Sequence, residues 1–226
     1  MEHPLLYLNY IIKAILPGYF DMPHVTYTWL IIVVFAVLGF LLSRKLQRIP
    51  RGGQNLIEAF VELLANFMDE TIGHGGSKYL PLIGSLAIFI LVSNLMGLVP
   101  GFMSPTSNLN TTVACALTVF LFYQYLGFKT HGIKYIRHFT GPILWLAPLM
   151  VPIELIGHFA RPLSLSVRLF GNIRGEDLVL IILVWLVPLI VPLPMFLLAV
   201  FTSVIQAFVF CLLSMIYIAG ALEHAH

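Results

Sequence analysis

Charge is scarce in this sequence. Only 10% of its residues are Asp, Glu, Lys or Arg, while 59% are hydrophobic and the mean hydropathy is +0.95; soluble domains carry about 25% charged residues. That shortage excludes a water-soluble globule, and a formal net charge of +2 over 226 residues leaves no basic surface for nucleic acid. Cysteine is scarcer still. Cys115 and Cys211 both lie inside apolar runs without C-x-x-C spacing, so neither a disulfide framework nor a zinc site is indicated, and both read as packing residues. The opening residues lack the basic start and small-residue cleavage site of a secretory leader, carry Lys13 within their apolar patch, and are neither Arg-rich nor Ser-rich. Targeting is therefore expected to fall to the protein's own spans. Internal repeats and polar linkers are also missing, so residues 1–226 read as a single membrane-embedded domain.

What is present is a set of long apolar runs, expected to form five transmembrane helices near residues 27–43, 79–99, 109–128, 143–187 and 195–222. The fold class is an all-α polytopic membrane protein. Between the first two runs, residues 54–72 change pattern: Ile57, Phe60, Val61 and Leu64 alternate at helical spacing with Glu58, Glu62, Asp69 and Glu70. Such a helix is expected to lie on the membrane surface rather than cross it. The basic residues set the orientation. Arg44, Lys45, Arg48, Arg51, Lys78, Lys129, Lys134 and Arg137 make up eight of the twelve Lys and Arg, and all fall on one side of this topology, which the positive-inside rule assigns to the cytoplasm. The N-terminus then lies outside and the C-terminus inside. His24, His74, His131 and His138 fall in loops outside the spans and are expected to be solvated.

The last two runs form a hairpin turning at Pro188, Pro192 and Pro194. Its arms, about 67 and 42 Å long at 1.5 Å per residue, exceed a hydrocarbon core of about 30 Å, so tilt or bending is expected, with Pro148, Pro152 and Pro162 as candidate kinks.

The first arm carries charges that lipid cannot accommodate. Glu154, His158, Arg161, Ser164, Arg168, Asn172 and Glu176 advance by three or four residues and fall within about 120° of one helical face. Asp177 and Arg174 lie beside its outer end. An ionisable group at bilayer depth costs between about 2.5 and 17 kcal/mol and marks a functional site by default. Arg168 sits near the middle, Glu154 and Arg161 toward the cytoplasm, and Glu176 and Asp177 toward the outside. In the second arm the polar residue at matching depth is Gln206, whose amide can meet a guanidinium or a water. Structural alternatives stand beside these readings: an ion pair of Glu154 with His158 or Arg161, snorkelling of Arg174, and interhelical hydrogen bonding by Gln206.

Pro162 to Asn172 spells PLSLSVRLFGN, which resembles the signature of the subunit a family of the rotary ATP synthase, the stator proton channel of its membrane sector. The resemblance extends to NLMGLVP (Asn94 to Pro100), to Glu154, to SVIQAF around Gln206 and to the His-ending tail. It implies a non-catalytic subunit without cofactor or metal, placed in a bacterial inner membrane with a ring of small rotor subunits (subunit c), the peripheral-stalk subunit b and the rest of the complex. It also implies that Arg168 is the essential stator arginine, with Asn172 after it and Gln206 opposite, and that Glu154, Arg161 and Ser164 line the cytoplasmic side of the ion path. Two departures stand out. Ile173-Arg174-Gly175-Glu176-Asp177 replaces the family's A-G-E or A-G-H element, so either Asp177 or Glu176 takes the acidic place, and Ala199 stands where some members carry histidine.

Two rival classes have weaker footing. An ion-coupled secondary transporter remains the alternative, but repeated halves and paired broken helices are missing. A metalloprotease would need H-E-x-x-H, whereas Glu154 and His158 come in reverse order. The topology is directly testable. Single cysteines placed within residues 44–51 or 129–138 should react only from the cytoplasmic face, and labelling of either loop from outside intact cells would reverse the orientation.

Overall fold

The computed structural model describes residues 22–44, 53–73, 75–99, 101–132, 135, 147–187 and 191–222. Outside them lie Lys13, the basic residues Lys45, Arg48, Arg51, Lys134 and Arg137, His74 and His138, residues 143–146, Pro188 and the His-ending tail. Among the described residues the secondary structure is helical throughout, without strands. The helices are α1 (Pro23–Ser43), α2 (Gly53–Ile72), α3 (Leu80–Gly97), α4 (Leu109–His131), α5 (Ala147–Leu186) and α6 (Pro192–Leu222), with short 3-10 turns at Gly76–Tyr79 and Pro105–Ser107. α1, α3 with its preceding turn, α4 and α6 are each long and apolar enough to cross a membrane.

Several ends differ from the sequence expectation, each for a local reason. α1 and α6 start earlier, at Pro23 and Pro192, because a first-turn proline lacks only an N–H that the helix would leave unpaired anyway. α4 continues past Phe128 through Lys129 to His131, since cations suit a helix C-terminus, and it stops at Gly132 with φ 58°. Its start is capped as the polar turn suggests: the Asn108 Oδ1 accepts from the Asn110 N–H at 2.9 Å. His24 and His131, expected in solvated loops, instead belong to helix ends and are half-buried, with His131 stacked on Tyr135.

α5 runs through Pro152 and Pro162 without a break. At 40 residues it measures about 60 Å, and the 31-residue α6 about 46 Å. α6 is the hub, in contact with α2, α3, α4 and α5. Its buried residues Ala199, Ser203, Ala207, Cys211, Ser214 and Ile218 recur every three or four positions, and most are small. Small side chains let helix backbones approach closely where lipid gives no hydrophobic drive to association. The core of Met68, Ile83, Ile90, Val119, Tyr123, Leu169, Phe210, Met215 and Ile218 joins α2 to α6. Both cysteines are buried free thiols within it, as packing residues should be.

α2 is held to α3 by a compact turn. The Ser77 N–H donates to the Asp69 carboxylate at 2.9 Å, and the chain reverses through Gly73 and Gly75 at φ 99° and 91°. Gly76 then passes so close to α2 that a Cβ would stand 2.6 Å from the Met68 carbonyl oxygen, a backbone atom with no rotamer to escape into. Gly76→Ala should therefore destabilise by roughly 1–3 kcal/mol, visible as a lower melting temperature of the detergent-solubilised complex.

Candidate functional site

The polar residues of α5 stand next to its packing stripe. Leu165, Leu169 and Ile173, spaced by four, are buried against neighbouring helices. Arg168 and Asn172 each precede a member of that stripe by one residue, which places them at its margin. The stripe read from the sequence is consequently not one uniform surface. His158 is buried, Glu154, Arg161, Glu176 and Asp177 are half-buried, and Ser164, Arg168 and Asn172 are exposed.

At the centre, Asn172 and Gln206 meet. The Asn172 Nδ2 donates to the Gln206 Oε1 at 2.7 Å, joining α5 to α6 one turn beyond Arg168. Gln206 is 4% exposed, so this amide pair is withdrawn from the surface at its α6 end. Arg168 itself has no hydrogen bond or ion pair among the described residues. Toward the end expected outside, Glu176 lies near Thr202 of α6, and Asp177 lies within the electrostatic reach of Arg174. Ala199 is fully buried one turn earlier in α6, leaving no ionisable group at that place.

At the other end of α5 the polar residues turn inward. His158 Nε2 lies 3.6 Å from Glu154 Oε1, one helical turn away. Its Nδ1 is 3.4 Å from both the Tyr123 hydroxyl and the Gln124 amide nitrogen of α4. The Arg161 guanidinium lies over the Tyr217 ring of α6, 5.5 Å from its centroid, and Tyr217 in turn packs on Tyr123. Tyr135, beyond the end of α4, donates its hydroxyl to Gln124 Oε1 at 2.8 Å. Burial pushes the Tyr135 phenol above its ordinary value, which keeps it a donor.

Sequence reading missed Tyr123, Gln124 and Tyr135. Tyr123 and Gln124 form the polar dipeptide near the end of an otherwise apolar run, which is the one signal that could have found them. A buried polar cluster under the Pro105–Ser107 turn was missed too, where Thr106 donates to Asn94 Oδ1 at 2.6 Å and accepts from the Ser104 hydroxyl at 2.7 Å. Asn94 opens the NLMGLVP string, and α5 packs against that turn.

Comparison with known proteins decides the family. A family model described as ATP synthase A chain matches residues 25–219. The chain belongs to the ATP synthase A chain family. It is 53% identical to ATP synthase subunit a 3 of Pelobacter propionicus and 52% identical to ATP synthase subunit a of Geobacter sulfurreducens, each over the whole of both chains. A relative from Syntrophobacter fumaroxidans, again ATP synthase subunit a, is 49% identical over the same full coverage. Family membership makes this a non-catalytic, ion-transporting membrane subunit of an ATP synthase.

The α5–α6 amide pair gives a measurable coupling. In a double-mutant cycle of Asn172→Leu and Gln206→Leu, thermal stability of the solubilised complex should reveal a favourable interaction of roughly 0.6 kcal/mol, up to about 1.7. Additive losses would mean the amides do not depend on one another.

Proposed function

We propose that this member of the ATP synthase A chain family is the proton-conducting stator of the complex, with two offset half-channels leading to the rotor ring and Arg168 as the gate between them. In this reading α5 is a fifth span, α2 lies on the cytoplasmic interface, the N-terminus is outside and the C-terminus inside. The carrying observation is Arg168: a guanidinium at mid-length of a 40-residue helix, exposed at the edge of a buried stripe and unpaired among the described residues. Such a charge is too costly to leave facing lipid, so its partner is supplied by another chain.

The chemistry follows from what each group can do with a proton. A guanidinium keeps its charge at any working pH, so Arg168 cannot pass a proton and acts as a fixed positive charge. A carboxyl group on a rotor helix stays protonated while it faces hydrocarbon and is driven to ionise when it comes opposite that charge. α6 contains no acidic residue, so the moving carboxyl belongs to the ring of c subunits, and subunit b completes the stator. Asn172 and Gln206, locked to each other, hold α5 and α6 in register at the gate. Glu176 and Asp177 form the outer half-channel. Glu154, His158, Arg161 and Ser164 form the inner one. Each charge crossing 100 mV releases about 2.3 kcal/mol, so several protons drive each ATP, and rotation accumulates them.

Replacing Arg168 with Ala or Gln should abolish coupled ATP synthesis and open a passive proton leak, because nothing then forces the rotor carboxyl to release its proton. Arg168→Lys should remain severely impaired, since an ammonium is compact and can lose its proton when desolvated. Proton permeability and gradient-driven synthesis, measured on assembled complexes in vesicles, separate the outcomes. An Arg168→Ala complex that makes ATP near the parent rate would move the gate elsewhere, with Arg161 next in line.

A further inference from the structure

Arg161 and Arg168 stand seven residues apart on α5, so they fall within about 20° of each other around its axis and about 10 Å apart along it. Periodicity alone would give the two guanidinium groups the same outlook. The packing separates them. Arg168 is exposed, as are Ser164 and Gly175, which share its side of the helix to within about 40°. At Gly157 and Gly175, three turns before the gate arginine and two after it, an added Cβ would meet nothing within 4 Å. This line of α5 is open, and apart from the arginines its residues are small. Arg161 departs from it. Half-buried, its guanidinium is drawn toward α6 and lies over the Tyr217 ring, 5.5 Å from the centroid and within reach of a cation–π contact. Tyr217 packs in turn on Tyr123 of α4 at 6.0 Å between centroids, and Tyr123 is 1% exposed, so the ring has a fixed backing. No acid stands in ion-pair range of Arg161 among the described residues; Glu154, two turns before it, meets His158 instead. The aromatic face is what holds this guanidinium.

We propose that Tyr217, backed by Tyr123, is a positioning residue that holds Arg161 off the open line of α5, so that a rotor carboxyl passing this helix meets one fixed cation, Arg168, and not two in succession. The inference rests on the gate reading above. A guanidinium cannot discharge itself, so a second one is kept from acting on the rotor only by turning it aside and covering it. Without the ring, the Arg161 side chain returns to the direction its place on the helix dictates. At about 10 Å and an effective dielectric near 20, a charge there would hold the ionised rotor carboxyl strongly enough to slow its departure roughly ten-fold. The consequence falls on speed and not on coupling, because Arg168 still stands between the half-channels. The ring face carries the contact, so phenylalanine can replace tyrosine at this place and an aliphatic residue cannot.

The test uses the assembled ATP synthase in membrane vesicles, with ATP synthesis driven by an imposed gradient and passive proton permeability measured beside it. Tyr217→Leu should slow synthesis roughly ten-fold and leave proton permeability at the parent level. Tyr217→Phe should stay within about two-fold of the parent. In an Arg161→Gln background, whatever its own rate, Tyr217→Leu should cost no more than about a further two-fold, since the charge that the ring restrains is gone. A Tyr217→Leu complex working near the parent rate would overturn the proposal, and so would a Tyr217→Phe complex as slow as the Leu variant. A ten-fold loss that persists in Arg161→Gln would make Tyr217 a packing residue only. Raised proton permeability in Tyr217→Leu would assign the ring to the seal between the half-channels instead. If Tyr217→Leu does not assemble, Tyr217→Met, whose unbranched side chain fills irregular gaps, replaces it with the same outcomes deciding. Failure of the gate reading shows separately, as normal coupling in Arg168→Ala.

Discussion

Hydrocarbon cannot solvate a charge or an unpaired hydrogen-bonding group, and the arrangement of this bundle follows from that constraint. α5 carries more ionisable residues than any other helix described here, and it is the one whose polar side chains are distributed among three different kinds of shelter. Glu154, His158 and Arg161 are folded inward against tyrosines and an amide of α4 and α6. Asn172 is tied to Gln206. Arg168 alone of the three arginines on α5 stands exposed at mid-length with neither an aromatic ring beneath it nor an acid nearby, and the proposed rotor carboxyl supplies what this chain withholds.

Holding a charge in that position demands rigidity behind it. Leu169, the residue after Arg168, is fully buried, and Leu165 and Ile173 extend the same contact by one turn in each direction. The Asn172–Gln206 bond ties α5 to α6 a turn from the guanidinium. A long flexible side chain is thus mounted on a stiff base. In the proposed mechanism this matters because a gate that drifted by a helical turn would no longer separate the two half-channels.

The two ends of α5 differ in their chemistry. One end gathers an imidazole, a carboxylate, a guanidinium and three phenols, a set able to hold or pass a proton through several partners. At the other end Glu176 and Asp177 sit near a single hydroxyl and Arg174, with buried Ala199 in α6 contributing nothing ionisable. In the proposed mechanism, protons that enter at the acidic end meet few alternative sites before the gate, whereas the opposite end has several.

Much of this was legible in the sequence because the signals are local. Apolar run length marks a span whatever surrounds it, and the spacing of Glu154, His158, Arg161, Arg168 and Asn172 follows from the helical repeat alone. The PLSLSVRLFGN string carried the family. Helix ends were less legible: Pro192 reads as part of the hairpin turn in one dimension and serves as a first-turn residue in three. What the sequence could not supply was the environment of each polar residue. Ser164, Arg168 and Asn172 share a face with His158 by periodicity, yet burial divides them, because exposure depends on which neighbouring helix reaches that depth. Tyr123 and Gln124 lie 35 and 34 residues from His158, and the Tyr135–Gln124–His158 chain exists only because α4 packs on α5. Periodicity fixes the direction of a side chain about its own axis, but only the packing of helices against one another decides what it meets.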